Sequence, residues 1–341
     1  MAKNQRPKIV AVVGPTASGK SDMGIFLAKK ISTRGGLSSG WQGAEIISAD
    51  SRQVYRRLDI GTGKVPRDGN SKLKILNSKQ AQNSKFKIQN NTYFSSGIRH
   101  HLIDVVSPKK QFTADNFKKL GEKALKEILA KNKVPIIVGG TGFYIDVLLG
   151  RMSVAEVPPN KKLRARFDKL TVEHLFKMLK KLDPRRAKTI DPKNKRRLIR
   201  ALEIVLTTGK PVPGPAVSNK YQVLWIGLKP KNLETRIKKR LDARLEQGMV
   251  KEVKTLLKSG VSKRRLYNFG LEYRWLTRYL NKEVGYKEMK EGLLRDIIKY
   301  SKRQMTWFKR NKEVRWIRDL PAQAGQKEAG KIIQKFLASH P

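Results

Sequence analysis

The sequence predicts an α/β protein: a parallel sheet flanked by helices, with a helical domain inserted into it. Three observations carry that expectation. Short β-branched runs alternate with segments of helical periodicity through residues 1–156. Residues 157–220 then change texture, becoming helical and rich in Lys and Arg with no strand signal. Finally, Tyr221–Leu228 reads as a strand again, so an insertion explains the order better than two sequential domains.

The elements follow in order. Ile9–Val13 is a short apolar run ending at Gly14, and Ser21–Ile31 carries Met23, Phe26, Leu27 and Ile31 at helical spacing. Residues 33–43 are rich in Gly and Ser and read as a loop. Ala44–Ser48 is a second strand leading into Asp50. The stretch 64–99, heavy in Lys, Asn, Gln and Ser, reads as a flexible or poorly packed insertion. His101–Val106 is a third strand candidate. Ala114–Lys131 is a helix with Phe117, Leu120, Ala124, Leu125 and Ile128 on one face. Val134–Val138 is a buried strand that breaks at Gly139 and Gly140. Residues 221–318 return to the core and continue as a mostly helical part, and 319–341 form a weakly informative tail.

Charge dominates the composition. Lys and Arg number 75 against 28 Asp and Glu, a formal net charge of +47 over 341 residues. A polyanionic partner follows from phosphate neutralisation, with solvated surface charge as the alternative. No stretch approaches the ~20 apolar residues that span a bilayer. Cysteine is absent, which removes disulfides and thiolate chemistry. The expectation is a cytoplasmic protein, acting as a monomer and independent of membranes.

Gly14-Pro15-Thr16-Ala17-Ser18-Gly19-Lys20-Ser21 matches G-x-x-x-x-G-K-[ST], with a strand before it and a helix after it. In such a P-loop, backbone N–H groups converge on phosphate oxygens and the helix N-terminus adds partial positive charge. Lys20 supplies a point charge and Ser21 a hydroxyl for Mg²⁺. The fold expectation thereby sharpens to a P-loop NTPase-like sheet. The loop reads phosphate and does not say what hangs from it.

Further motifs narrow the choice. They are Ile47–Tyr55 (ISADSRQVY), Asp59–Lys64 (DIGTGK), His100–Asp104 (HHLID), Gly139–Tyr144 (GGTGFY), Gly270–Arg274 (GLEYR) and Lys302–Phe308 (KRQMTWF). In this order they closely resemble the tRNA dimethylallyltransferases (tRNA isopentenyltransferases) of bacterial type, over most of the chain. The resemblance implies a P-loop fold used without nucleotide hydrolysis. The diphosphate of dimethylallyl diphosphate would sit in the loop, with Mg²⁺ assisting. The N6 amine of the adenosine 3′-adjacent to the anticodon in tRNA would attack the allylic carbon. The inserted helices, 157–220, would grip the anticodon stem-loop.

The resemblance also assigns residues. An exocyclic adenine amine is a poor nucleophile, and Asp50 would accept its proton as general base; a Mg²⁺ ligand or a helix cap is the alternative. Thr141 would donate toward the departing oxygen, with a capping role as the alternative. Ser51, Arg52 and Gln53 share the loop of Asp50, and Gln53 would read the adenine edge of a flipped base. Arg164, Arg196, Arg197 and Arg200 match RNA-contact positions, Arg196 and Arg200 sharing a helix face. Gly270, Tyr273 and Arg274 resemble another tRNA-contacting turn, and Lys302, Arg303 and Arg310 would line a basic groove. Arg236 and Arg240, four apart, are candidates for arginines that close over the diphosphate. His100 and His101, adjacent on a strand, face opposite ways and cannot chelate one ion; the family places them at a strand start. Residues 33–43 and 65–99 look longer than in shorter bacterial members. Two rivals share the loop: a P-loop kinase, and an isopentenyltransferase acting on free adenylate. A non-catalytic RNA-binding remnant is the third, opposed by the intact set Lys20, Ser21, Asp50 and Thr141.

Overall fold

The structure is a computed structural model. It describes residues 6–33, 40–68, 92–215, 218–318 and 322–338. The remainder of the expected 33–43 and 65–99 insertions and of the tail lies outside the described residues.

The chain runs β1 (Lys8–Val13), α1 (Lys20–Ser32), β2 (Ala44–Ser48), β3 (Tyr93–Ser95), β4 (Ile98–His101), α2 (Ala114–Ala130), β5 (Val134–Gly139) and α3 (Gly142–Leu148). Four helices follow: α4 (Lys161–Asp168), α5 (Val172–Leu182), α6 (Pro184–Ala187) and α7 (Lys195–Thr208). Then come β6 (Gln222–Lys229), α8 (Leu233–Glu246), α9 (Met249–Lys258), α10 (Lys263–Phe269), α11 (Leu271–Leu280), α12 (Tyr286–Lys309), β7 (Arg315–Arg318) and α13 (Ala322–Ala338). No described helix is long and apolar enough to cross a membrane.

Two compact units result, one of residues 1–148 with 219–341, the other of 149–218. The break therefore falls ahead of the expected 157. In the first unit a seven-stranded sheet has the order β3-β4-β2-β5-β1-β6-β7. All pairings are parallel except β3 with β4. β1, β2 and β5 are buried at every position, as expected of parallel strands covered on both faces. One core cluster joins Val10, Val12, Ile136 and Ile226 of the sheet to Leu27 and Ile31 of α1 and Ile333 of α13. A second gathers Ile237, Met249, Phe269, Tyr273, Leu293 and Ile297 of the C-terminal helices around Val54, Tyr55 and Leu58.

Several expectations need correction. The third strand ends at His101, where it was expected to begin, so the histidine pair closes a strand. Leu102 and Asp104 take left-handed backbone (φ 62° and 59°), which no strand accommodates. Residues 93–101, largely assigned to a poorly packed insertion, form the β3–β4 hairpin, an edge pair too short to show a periodic pattern. On α2 the buried face uses Gly121, while Leu120 is exposed. The uninformative tail supplies α13, with Ala329, Ile333 and Leu337 buried, and β7 just before it was not foreseen.

The inserted unit has its own core of Phe167, Leu175, Leu179, Leu198, Ile199 and Leu202. Its helices start at side-chain caps: Asn160, Thr171, Asp183 and Asn194 each accept from a backbone N–H three residues on. The short α6 is further tied down by Asp183, whose second oxygen accepts from the Val212 N–H at 2.8 Å.

Candidate active site

Parallel strands send their following loops to one sheet edge, and ligands of such sheets bind there. Here the loops after β1, β2 and β5 deliver the P-loop, Asp50 and Gly140-Thr141 together. A pocket is lined by Thr16, Lys20, Ser21, Asp50, Gln53, Thr62, Gly139, Gly140, Arg240, Tyr300 and Gln304, among others.

The loop is shaped by close approach. A Cβ on Gly14 would stand 2.7 Å from the Leu228 carbonyl oxygen of β6. Gly19 takes φ 89° as the N-cap of α1, and among the described residues no side chain caps that helix, which leaves its first N–H groups without a side-chain partner there. Among the described residues the buried Ser18 hydroxyl has no hydrogen-bond partner. Gln304 of α12 fastens the loop to the sheet: its Oε1 accepts from Thr16 N–H at 2.8 Å and its Nε2 donates to Gly140 O at 2.9 Å.

The cations around the loop are short of counter-charge. Lys20 Nζ donates to Pro15 O at 2.5 Å. Burial, with Arg240 adding and Asp50 opposing, lowers its pKa to about 7. Arg240 is lowered to about 10, by burial first and by Arg244 second. Arg236 Nε donates to Ala17 O at 3.0 Å. One turn apart on α8, these two arginines thus reach the loop and its pocket from the same face.

Asp50 sits at the turn after β2. Its Oδ1 accepts from Arg52 N–H at 2.8 Å and Gln53 N–H at 3.3 Å. Its Oδ2 makes no hydrogen bond among the described residues. The carboxylate therefore caps its own turn with one oxygen and leaves the other for the pocket. Thr141 packs beside it: its N–H donates to Ala49 O at 3.1 Å and its Oγ1 accepts from Ser51 N–H at 3.2 Å. Gln53 is partly spent, accepting from Ser48 Oγ at 2.9 Å and donating to Gly63 O at 3.4 Å. Arg52 donates to Phe269 O at 2.7 Å.

The DIGTGK and HHLID motifs explain each other. Lys64 Nζ, almost fully buried, meets Asp59 at 2.7 Å, Tyr55 O at 2.7 Å and the Asp104 carboxylate. Glu252 of α9 accepts from the N–H groups of Asp59 (2.8 Å), Ile60 (2.6 Å) and Gly61 (3.2 Å), fixing the turn that carries Thr62 to the pocket wall. His101 Nε2 is bonded to Glu45 at 2.7 Å and His100 Nδ1 to Ile98 O at 3.0 Å, so neither ring faces the pocket.

One RNA-contact expectation is contradicted by burial. Tyr273 is 1% exposed, and its hydroxyl donates to Glu252 at 2.9 Å: it is core. Arg200, expected beside Arg196 on an outward face, turns inward to Glu203 and to Val157 O at 2.9 Å. Arg164 meets the same Glu203 with Nε at 2.8 Å and Nη2 at 2.7 Å, and keeps about a third of its side chain exposed (35%). Arg196, Arg197 and Arg274 are exposed, while Gly270 takes φ 77° between α10 and α11. Lys302, Arg303 and Arg310 are exposed on α12 and at its end, Lys302 pairing with Glu234 at 3.2 Å.

Sequence reasoning missed Glu203, Glu252, Thr62, Tyr300 and the tie made by Gln304. The signal for the last two lay in helical spacing: Tyr300, Gln304 and Trp307 share a face of α12, and Trp307 Nε1 donates to Asp146 at 2.9 Å.

The IPP transferase family model matches residues 87–311. The tRNA dimethylallyltransferase of Pelotomaculum thermopropionicum is 34% identical over 330 residues, covering 93% of this chain and 92% of the relative. The tRNA dimethylallyltransferase 2 of Shewanella sediminis is 36% identical, covering 89% of each. Among solved structures, the tRNA isopentenylpyrophosphate transferase of Bacillus halodurans aligns over 98% of this chain and 97% of its own, at 30% identity and TM-score 0.65. A eukaryotic dimethylallyltransferase acting on tRNA, at 22% identity and TM-score 0.74, shares the fold over 98% of this chain and 80% of its own.

Proposed function

The chain belongs to the IPP transferase family, and from that premise we propose that it transfers a dimethylallyl group from dimethylallyl diphosphate to N6 of the adenosine 3′-adjacent to the anticodon in tRNA, releasing diphosphate. One observation carries the reading: a complete phosphate loop opens into the same pocket as a carboxylate with a free oxygen.

The loop N–H groups, Lys20 and Arg240 bind the diphosphate, with Arg236 alongside. Asp50 Oδ2 accepts the N6 proton as the N–C bond forms and the allylic C–O bond breaks. The electron pair of that bond leaves on the diphosphate oxygen, toward which the Thr141 hydroxyl donates. Thr62 and Gln53 bound the side where the base enters, and one N–H of Gln53 remains for its edge. The described residues contain no group of three or more His, Cys, Asp or Glu able to hold a metal ion alone. Mg²⁺ would rest on Ser21 Oγ and on diphosphate oxygens, supplying charge to the leaving group. The exposed Arg196, Arg197 and Arg274, with the outer edge of Arg164, serve tRNA phosphates. The protein acts as a cytoplasmic monomer.

Incubation of the protein with tRNA, Mg²⁺ and dimethylallyl diphosphate, followed by mass spectrometry of the nucleosides, tests this. N6-(dimethylallyl)adenosine formed without ATP is expected. Strict ATP dependence, or phosphate transfer to a small acceptor, overturns it.

A further inference from the structure

Gln304 lines the pocket from α12 and is itself 6% exposed. Each end of its amide holds a different loop: Oε1 accepts from the Thr16 N–H at 2.8 Å, and Nε2 donates to Gly140 O at 2.9 Å. An N–H must meet the oxygen and a carbonyl must meet the nitrogen, so the amide has one orientation and cannot flip. The contact is also close, because a Cβ on Gly140 would stand 2.2 Å from Nε2. α12 is seated firmly on the same side: Trp307 Nε1 donates to Asp146 at 2.9 Å, and a Cβ on Gly142 would stand 2.1 Å from the Trp307 ring. The loop after β5 is joined in turn to the loop of Asp50. Thr141 N–H donates to Ala49 O at 3.1 Å, and a Cβ on Gly139 would meet that same oxygen at 2.2 Å. Gln304 thus completes a continuous run of contacts from the phosphate loop to the Asp50 turn. Pro15 has no N–H and the Thr16 N–H is spent on Gln304, so the donors left for a phosphate begin at Ala17.

We propose that Gln304 is a positioning residue that holds the diphosphate in the phosphate loop at one distance from the turns of Asp50 and Thr141; the inference rests on the transfer reaction above. Gln304 neither gives nor takes a proton in that reaction. The N–C bond forms as the allylic C–O bond breaks, so the allylic carbon must stand between the diphosphate on one side and an amine held at Asp50 on the other. A misplacement of about 1 Å in such an arrangement can cost ~10²-fold in rate. A loop free to shift away from Gly140 would still bind diphosphate through its N–H groups from Ala17 onward, Lys20 and Arg240. It would hold that diphosphate at varying distances from Asp50. Loss of the tie therefore appears in the rate of transfer and spares binding.

The test pairs Gln304→Ala with Gly140→Ala, which breaks the same contact from the opposite side. The Gly140 backbone lies outside the left-handed region, so what refuses a Cβ there is the Gln304 amide. Each single variant should slow single-turnover transfer roughly 10- to 100-fold, while calorimetric affinity for inorganic diphosphate stays close to wild type. Gln304→Ala opens the space that the added Cβ needs, so the double variant should be no slower than Gln304→Ala alone. Gln304→Met, similar in length but without the hydrogen bonds, should be as slow as Gln304→Ala in a chain that still unfolds cooperatively. A wild-type rate in Gln304→Ala overturns the inference. So do slowing that tracks lost diphosphate affinity, single effects that multiply in the double variant, and unfolding of Gln304→Met, which would make the tie structural alone. Hydrogen exchange over residues 14–18 supplies an arm that needs no acceptor, since Gln304→Ala should release the Thr16 amide. Failure of the wild type to prenylate tRNA sinks the transfer reaction itself, while the exchange result still reports whether the tie restrains the loop.

Discussion

In the pocket, Lys20 and Arg240 are half-buried, with no carboxylate in ion-pair contact among the described residues. In the inserted unit, Arg164 and Arg200 converge on the fully buried Glu203. The electrostatic consequences run in opposite directions. Lys20 and Arg240 are pushed down to about 7 and about 10 because their charge has been desolvated without full compensation. At Glu203 burial pushes upward, but hydrogen bonds from Arg164, Arg200 and the Asn160 N–H outweigh it and hold the carboxyl at about 2. A cation left short of charge is poised for an anion from outside, whereas one already paired holds the fold. Arginine is thus left short of counter-charge in one unit and spent on architecture in the other.

The strongest way to break this comparison is at the acid of the pocket. Asp50→Asn keeps the turn cap and loses the proton acceptor, so the single-turnover rate should fall by ~10²–10⁴-fold with dimethylallyl diphosphate affinity nearly intact. Full recovery of the rate in a Mg²⁺ titration would reassign Asp50 to metal binding.

Next in size is Glu203→Gln. It leaves two guanidiniums facing a neutral amide, and breaking a buried pair costs ~3–5 kcal/mol. Both arginines are about a third exposed (35% and 33%), so roughly 2 kcal/mol is expected after solvent screening. Hydrogen exchange of the α7 amides reads the loss. Because the folded carboxyl titrates near 2 and its ordinary value is 4.5, this contribution is complete above the higher value. It should be lost as pH falls from there toward 2. Unchanged exchange across that window would make the pair incidental.

Lys20 gives a third, smaller effect. Its protonated form is the one that meets a diphosphate, and it is half depleted in the free protein near pH 7. Diphosphate affinity should fall by up to about tenfold per pH unit above that point. Calorimetry in buffers of different ionisation enthalpy should show proton uptake on binding, and no uptake at pH 8 would contradict it. The smallest effect separates the arginines of α7. Arg197→Ala should reduce the salt slope of tRNA binding by about one counterion. Arg200→Ala should weaken the inserted unit instead, leaving the slope unchanged.

Much of the catalytic unit was legible because its signals are local. The P-loop lies in eight consecutive residues, and β1 and β5 are largely apolar runs that lead into glycines. What escaped depended on distant partners. Glu203 looks like any charge on an amphipathic helix until Arg164, 39 residues earlier, is placed against it. Tyr273 stands in a motif of polar appearance, yet its hydroxyl is satisfied by Glu252, which allows the ring to be buried. β3 and β7 are only three and four residues long and exist by pairing with a neighbour. The left-handed turn at Leu102 and Asp104 has no glycine to announce it.

The placement of β6 has a consequence for how the chain is made. β1 lies between β5 and β6, and the P-loop at Gly14 rests on the Leu228 backbone. During synthesis, then, the strand that carries the P-loop emerges early but keeps an open edge until residue 229 has been produced. The intervening residues 149–218 have their own core of helices close in sequence, a low-contact-order unit that folds quickly. Assembly should thus proceed with the later-emerging unit finished first, while the older half-sheet waits for β6 to close over its exposed edge.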